Sequence, residues 1–294
     1  MVYLSNFTFP DGDMEFDFCN DIKRTCYDSF YPFRVLSGHG FERIDFEPVT
    51  ILYGGNGSGK STALNVIAEK TGIRRDSIYN KSNFFPDYVD MCDMNIEADI
   101  PENSRIITSD DVFDYMLNIR NLNEGIDQKR EKLFEEYLDA KYSHFQIKSM
   151  EDYDQLKKVN NARFNTQSRF VRKELIDNVR EYSNGESAFL YFTEKIGVNG
   201  LYILDEPENS LSPKRQMELM SFIEDSARFF GCQFIISTHS PFLLAMRGAK
   251  IYNLDENPVN TKRWTELENV RIYYDFFKRY EKEFCNDNAR TDSR

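Results

Sequence analysis

The hydrophobic residues of this chain keep two different periods. Between Phe41 and Tyr53 they alternate with polar residues and then run together, as Phe41, Ile44, Phe46, Val49, Ile51 and Leu52, before a glycine-rich turn. That pattern predicts strands entering a loop. The next stretch, Ser61 to Lys70, places Leu64, Ile67 and Ala68 at helical spacing, so a helix follows the loop. Further on, Leu201 to Leu204 and Gln233 to Ser237 are apolar runs of strand length, while Lys214 to Phe230 and Val270 to Phe284 read as helices. Strands alternating with helices build βαβ units, and the predicted fold class is α/β with a mostly parallel sheet flanked by helices.

The region from Asp87 to Arg180 has another texture. It is charged, favours helix in places such as Gln128 to Lys141, and carries no phosphate or metal motif, which predicts a helical insertion. Leu133, Phe134, Tyr137 and Leu138 form a stripe whose spacing is that of a packed helix face. The region is too short and too irregular in its heptads for a long coiled-coil arm. Its acids between Asp87 and Asp99 read as a solvated face. The expected organisation is a core part over 1–86, the insertion over 87–180, a second core part over 181–285 and a polar tail over 286–294.

Composition narrows the function classes. The 294 residues are 40% hydrophobic and 29% charged, a globular balance. A net charge of -12 argues against a broadly basic surface for coating DNA and leaves room only for a local basic groove. The five cysteines contain no C-x-x-C pair and the three histidines are scattered, so neither a zinc site nor a disulfide framework is signalled. Met1 to Pro10 lacks the pattern of a signal peptide, and no apolar run reaches membrane-spanning length; the expectation is a cytoplasmic chain without a membrane partner.

The chemistry lies in three stretches. Gly54-Gly55-Asn56-Gly57-Ser58-Gly59-Lys60-Ser61 fits G-x-x-x-x-G-K-[ST] between a predicted strand and a predicted helix. Its glycines let consecutive N–H groups face phosphate oxygens, the helix beginning near Lys60 adds its positive end, Lys60 supplies a point charge, and the Ser61 hydroxyl is placed for Mg²⁺. The strand Leu201 to Leu204 then delivers Asp205 and Glu206 to the carboxyl edge of the sheet, where ligands bind. There Asp205 is the candidate Mg²⁺ carboxylate and Glu206 the candidate base that polarises the attacking water. His239 follows a third apolar strand, in Ser237-Thr238-His239-Ser240.

In chain order the sequence holds the Gly54 loop, Tyr182 to Ser187, Leu204 to Pro207, and Ser237 to Ser240. This series resembles the ABC-type ATPases: phosphate loop, signature motif, magnesium-and-base strand, switch histidine. Within that superfamily it is similar to small bacterial ATPases related to the recombination and chromosome-maintenance ATPases, on Tyr31-Pro32-Phe33, Phe46 to Thr50, Asp205 to Gln216 and Thr238 to Ala245. The central region is largely unmatched. The resemblance implies a P-loop ATPase head of ABC type with an antiparallel N-terminal part, binding ATP and Mg²⁺. It implies binding through Gly54, Asn56, Gly57, Ser58, Gly59, Lys60, Ser61 and Thr62, metal contacts from Ser61 and Asp205, and catalysis by Glu206, His239 and Lys60. It also implies a homodimer sharing two ATP sites, in which Ser183, Gly185 and Glu186 reach the γ-phosphate held by the other protomer.

Asn184 stands where many signature motifs have glycine, and Ser212 where transporters have aspartate. Asn83 and Gln146 are candidates for the glutamine that couples Mg²⁺ to the inserted region, and Tyr31 and Phe33 for the ring that stacks on adenine. The leading expectation is an ATP-gated dimer acting on DNA or a protein partner, in genome maintenance or defence against mobile elements. The alternatives are an ATP-dependent assembly module with little hydrolysis and the nucleotide-binding subunit of a transporter.

Overall fold

Strand β3 (Val49–Tyr53) is buried at every position, because it lies inside a six-stranded sheet with a parallel neighbour on each side. The computed structural model describes residues 1–22, 26–27, 29–143, 153–172, 175 and 184–286. The order across the sheet is β5 (Arg105–Thr108), β6 (Gly200–Asp205), β7 (Cys232–Ser237), β3, β8 (Lys250–Asn253) and β9 (Asn260–Thr261). All pairs are parallel except the last. The register sets Asp205 opposite Ser237 and Leu52 opposite Ser237, so the ends of three neighbouring strands share one edge.

A second sheet of three antiparallel strands, ordered β2 (Arg43–Asp45), β1 (Leu4–Thr8) and β4 (Asp93–Ile96), forms the N-terminal part. Helices α2 (Lys60–Thr71) and α3 (Phe85–Met91) bury Leu64, Ile67, Phe85 and Tyr88 in one core with Leu4 and Phe7 of β1, Ile203 of β6 and Ile235 of β7. The helix expected over Lys214 to Phe230 is α8 (Pro213–Phe229), started by Ser212, whose hydroxyl accepts from the Arg215 N–H. The single helix expected over Val270 to Phe284 is two, α10 (Glu268–Arg279) and α11 (Glu281–Asn286), interrupted where Tyr280 leaves helical geometry at φ −98° and ψ 10°.

The chain divides into two compact units, Met1–Val112 with Asn184–Arg294, and Phe113–Ser183. The division differs from the expected start of an insertion at residue 87, because β4 and β5 pair within the sheets of the first unit. Asp87, Asp90 and Asp93 are exposed, and they sit on α3 and β4. In the second unit, α4 (Ser109–Tyr142), which begins in the first, packs Leu133, Tyr137 and Ala140 with Val159 and Ala162 of α5 (Tyr153–Phe164) and Phe170 of α6 (Gln167–Arg172). Leu138, expected in that stripe, is 46% exposed; the buried face runs through Leu133, Tyr137 and Ala140 instead. Among the described residues no helix is long and apolar enough to cross a membrane.

A fully buried polar side chain helps to join the two sheets. Gln233, fully buried on β7, accepts from the N–H groups of Tyr3 and Leu4 at 2.8 and 3.0 Å and donates to the Leu4 carbonyl at 2.8 Å. An apolar residue of equal size would strand three backbone groups, each at about 1–3 kcal/mol. Gln233→Leu is expected to lower the urea unfolding midpoint by at least the equivalent of one such group, with an unchanged slope.

Candidate nucleotide site

The loop after β3 has the backbone that its glycines permit. Gly57 and Gly59 take φ of +84° and +90°, and a Cβ on Gly59 would stand 2.9 Å from Leu36. Gly59 is also the N-cap of α2 and offers no side chain to the first turn, so the N–H groups of Lys60, Ser61 and Thr62 lack a capping acceptor within the helix. The Ser58 hydroxyl is buried without a partner. Donors converging on a helix N-terminus with a lysine at its first position fit a polyphosphate. The cleft they line holds about 350 Å³ and is bounded by Val35, Asn56 to Thr62, and Glu206.

Lys60 is 5% exposed. Its ammonium donates to the carbonyls of Gly54 at 2.7 Å and Gly55 at 3.1 Å, and lies 3.0 Å from Nε2 of His239 and 3.9 Å from Glu206. Burial pulls its pKa down, while the carboxylates of Glu206 and Asp205 oppose that shift. Nε2 of His239 also lies 3.4 Å from Glu206, a contact that would need a proton on that nitrogen. The shorter contact decides: an ammonium only donates, so Nε2 accepts and the neutral ring carries its proton on Nδ1.

The two acids at the end of β6 have different surroundings. Asp205 Oδ1 accepts from Ser61 Oγ at 3.1 Å and from the Ser237 hydroxyl. Burial raises its pKa, and those two hydrogen bonds work against the rise. Two hard oxygens from a P-loop serine and a strand-end aspartate fit Mg²⁺, which takes few protein ligands and completes its shell with water and phosphate. Glu206 has the left-handed backbone φ 48° and ψ 55°; its N–H donates to the Ser237 carbonyl and hydroxyl, and its carboxylate accepts from Asn209 at 3.0 Å.

Several supporting residues were not assigned a role by the sequence. Glu208 Oε1 accepts from Thr238 Oγ1 at 2.7 Å and from the N–H groups of His239 and Ser240 at 2.6 and 3.1 Å, which fixes the turn carrying the histidine. Asp255 accepts from the Gly55 N–H at 2.6 Å and anchors the phosphate loop to the segment after β8. Thr108, Ser109 and Asp110, at the end of β5, line a second cavity with Ser61 and Asp205. The signal available for this last group was strand adjacency, since Thr108 pairs with Asp205.

Other expectations fare differently. Phe33 is not a ring for adenine: it is 5% exposed, stacked on Phe18 at 4.7 Å and edge-on to Tyr88, because a ring with no polar handle went into the core. Tyr31 is half-buried and donates to Thr62 Oγ1 at 3.1 Å, on the Ser61 side of the loop. Asn83 is exposed and does not line the cavity at Ser61; Gln146 and Ser183 lie outside the described residues. Gly185 and Glu186 open α7 (Asn184–Lys195) and neighbour the Ser210–Arg215 segment, with Arg215 3.3 Å from Glu186; neither lines the P-loop cleft of its own chain.

A family model described as "AAA domain, putative AbiEii toxin, Type IV TA system" matches residues 98–245, half of the chain. The chain belongs to this AAA-domain family. No curated protein matches it. Solved structures similar to it include an Smc head domain bound to the C-terminal domain of ScpA, from Pyrococcus furiosus, at 15% identity over 80% of this chain and 94% of that one, with a TM-score of 0.38. A nucleotide-free ATP-binding cassette from an ABC transporter is similar at 16% identity, over 78% and 85% of the two chains, with a TM-score of 0.39. A dimeric ATP-binding cassette in a post-hydrolysis state bound to ADP and Pi is similar at 13% identity, over 76% and 90%, with a TM-score of 0.34.

In this AAA-domain chain a buried carboxylate also shapes the cleft wall. Glu15 of α1 (Gly12–Asp21) is 2% exposed, and its Oε2 accepts from the Arg34 N–H and the Ser37 hydroxyl, both at 2.7 Å. That grip spans Val35 and Leu36, the residues standing over Gly59. Burial raises the Glu15 pKa against the pull of those hydrogen bonds. A raised carboxylate pKa means that the folded state binds more protons than the unfolded one between the ordinary value, about 4.3, and the raised value, so stability falls as pH rises through that window. Glu15→Gln is expected to remove this slope. Thermal melts of variant and wild type should converge near pH 4 and separate in favour of the variant as pH rises; parallel curves would refute it.

Proposed function

We propose that the chain is an ATP-binding and ATP-hydrolysing ABC-type ATPase that works as an ATP-gated homodimer on DNA or a partner effector protein. The observation that carries the reading is the meeting of Lys60, Glu206 and His239 within 3.0 to 3.9 Å at the mouth of the phosphate loop, beside the Ser61–Asp205 contact. Lys60 and the amides of the loop hold the β and γ phosphates, with the ammonium leaving the Gly54 and Gly55 carbonyls for phosphate oxygens. Ser61 and Asp205 hold Mg²⁺, which when bound neutralises charge on the phosphates.

Glu206 takes the proton of the attacking water, with Asn209 fixing one carboxylate oxygen so that the other faces the site. His239, whose Nε2 lies beside the Lys60 ammonium, would contact the terminal phosphate and report its departure. The orientation of Gly185 and Glu186 away from their own cleft supports a site completed by a second protomer. Nucleotide held between protomers then stabilises the dimer by mass action, and hydrolysis loosens it. Of the two roles, genome maintenance and defence against mobile elements, the family's description as a putative AbiEii toxin of a Type IV TA system supports only the second.

The test is Glu206→Gln. Its phosphate release should fall by about 10²- to 10⁴-fold, while ATP still drives the variant to dimer mass in size-exclusion chromatography. Background phosphate release from the wild type, with an ATP-dependent dimer intact, would reject hydrolysis and favour an assembly module.

A further inference from the structure

We propose that the cavity on the Asp205 side of the phosphate loop receives inorganic phosphate leaving the hydrolysis centre. The inference rests on the hydrolysis proposed above. The cavity holds about 700 Å³, and Ser61 and Thr62, at the end that would hold magnesium, wall both it and the smaller P-loop cleft. If a second protomer closes the cleft, product phosphate needs another way out, and this is the space adjoining the reacting end.

The walls carry the donors that an oxyanion needs. Arg75 lies 4.0 Å over the ring of Tyr79 and donates through Nη2 to Asn65 at 2.6 Å, while its Nη1 is buried with no partner. Arg75 is among the residues lining the cavity, so its cation attracts an oxyanion that enters there. Tyr79 is held as a platform by its hydroxyl bond to Glu69 at 2.8 Å. Lys81 adds a second cation to the lining. Across the cavity stands the start of the 34-residue helix α4. There Thr108 and Asp111 bond each other reciprocally, and the N–H groups of Ser109 and Asp110 have no partner within the helix.

Charge in the cavity is mixed. Arg75 and Lys81 face Asp110 and Asp205, and Asp205 already accepts two hydroxyls. Two cations offset by two carboxylates make a site that takes up phosphate yet holds it weakly enough to let it leave.

The experiment is calorimetric titration of inorganic phosphate into the full chain saturated with Mg²⁺ and ADP, for wild type, Arg75→Gln and the milder Lys81→Gln. Wild type should take up one phosphate beyond the nucleotide, and each variant should bind it at least tenfold more weakly with ADP affinity unchanged. Uptake of no phosphate by the wild type overturns the proposal, as does equal phosphate affinity in all three proteins. Loss of ADP affinity in Arg75→Gln together with unaltered phosphate binding in Lys81→Gln also overturns it, by returning Arg75 to the nucleotide cleft. Displacement of the phosphate by a short single-stranded DNA would reassign the cavity to nucleic acid. Should ADP fail to bind the wild type, the ATPase reading fails separately; the difference in phosphate affinity between wild type and Arg75→Gln, measured without nucleotide, then decides the cavity alone.

Discussion

A buried ammonium is the constraint around which the first unit is arranged. Lys60 is almost wholly withdrawn from water, and an uncompensated charge in that position would cost several kcal/mol. Its compensation comes from three chain segments: carbonyls of the loop after β3, the carboxylate at the end of β6 and the imidazole after β7. Those segments are brought together only because β6, β7 and β3 lie side by side and parallel, with Asp205 and Leu52 both in register with Ser237. The sheet order and the lysine therefore depend on each other. A slip of one residue in β6 or β7 would move an acid or the histidine to the wrong face and leave the ammonium without its partners.

The same dependence explains what could be read from the sequence. Strands β3, β6 and β7 are fully or almost fully buried, so their residues are mostly apolar, with Thr50, Gln233 and Ser237 as buried polar exceptions, and their lengths stand out. The catalytic candidates follow those strands directly and were legible for that reason. The unread strands have weaker local patterns. Four-residue β4 exposes most of its side chains, β5 begins with Arg105 and β8 with Lys250. They are strands because a neighbour pairs with them, and pairing across long sequence distances leaves little local trace.

Supporting side chains were hidden for a related reason. Glu15, Glu208 and Asp255 act on loops that lie far from them in sequence, and each is a carboxylate in a chain rich in surface carboxylates. Nothing in composition separates a carboxylate that holds a loop from one that faces solvent. Phe33 shows the converse error: an aromatic next to a recognisable motif invited a ligand role, yet burial of a ring with no hydrogen-bonding handle gains more in the core against Phe18 and Tyr88.

The turn after β6 draws these threads together. Glu206 adopts a left-handed backbone that a non-glycine residue holds at a cost of order 1–3 kcal/mol. The strain is held in place by two bonds from its N–H to Ser237, and it aims the Glu206 carboxylate back at Lys60. Two residues on, Glu208 fixes the backbone of His239 and Ser240, and Ser240 donates to Gln216, whose amide returns to the Leu211 carbonyl. Ser210 and Ser212 then lie against Gly185 at the start of α7. One short turn thus connects the candidate base, the candidate sensor and the segment beside the signature residues, through polar contacts that are satisfied almost throughout. Under the proposed reading, a change at the terminal phosphate that displaces His239 or Glu206 would reach the Ser210–Ser212 segment through these same hydrogen bonds.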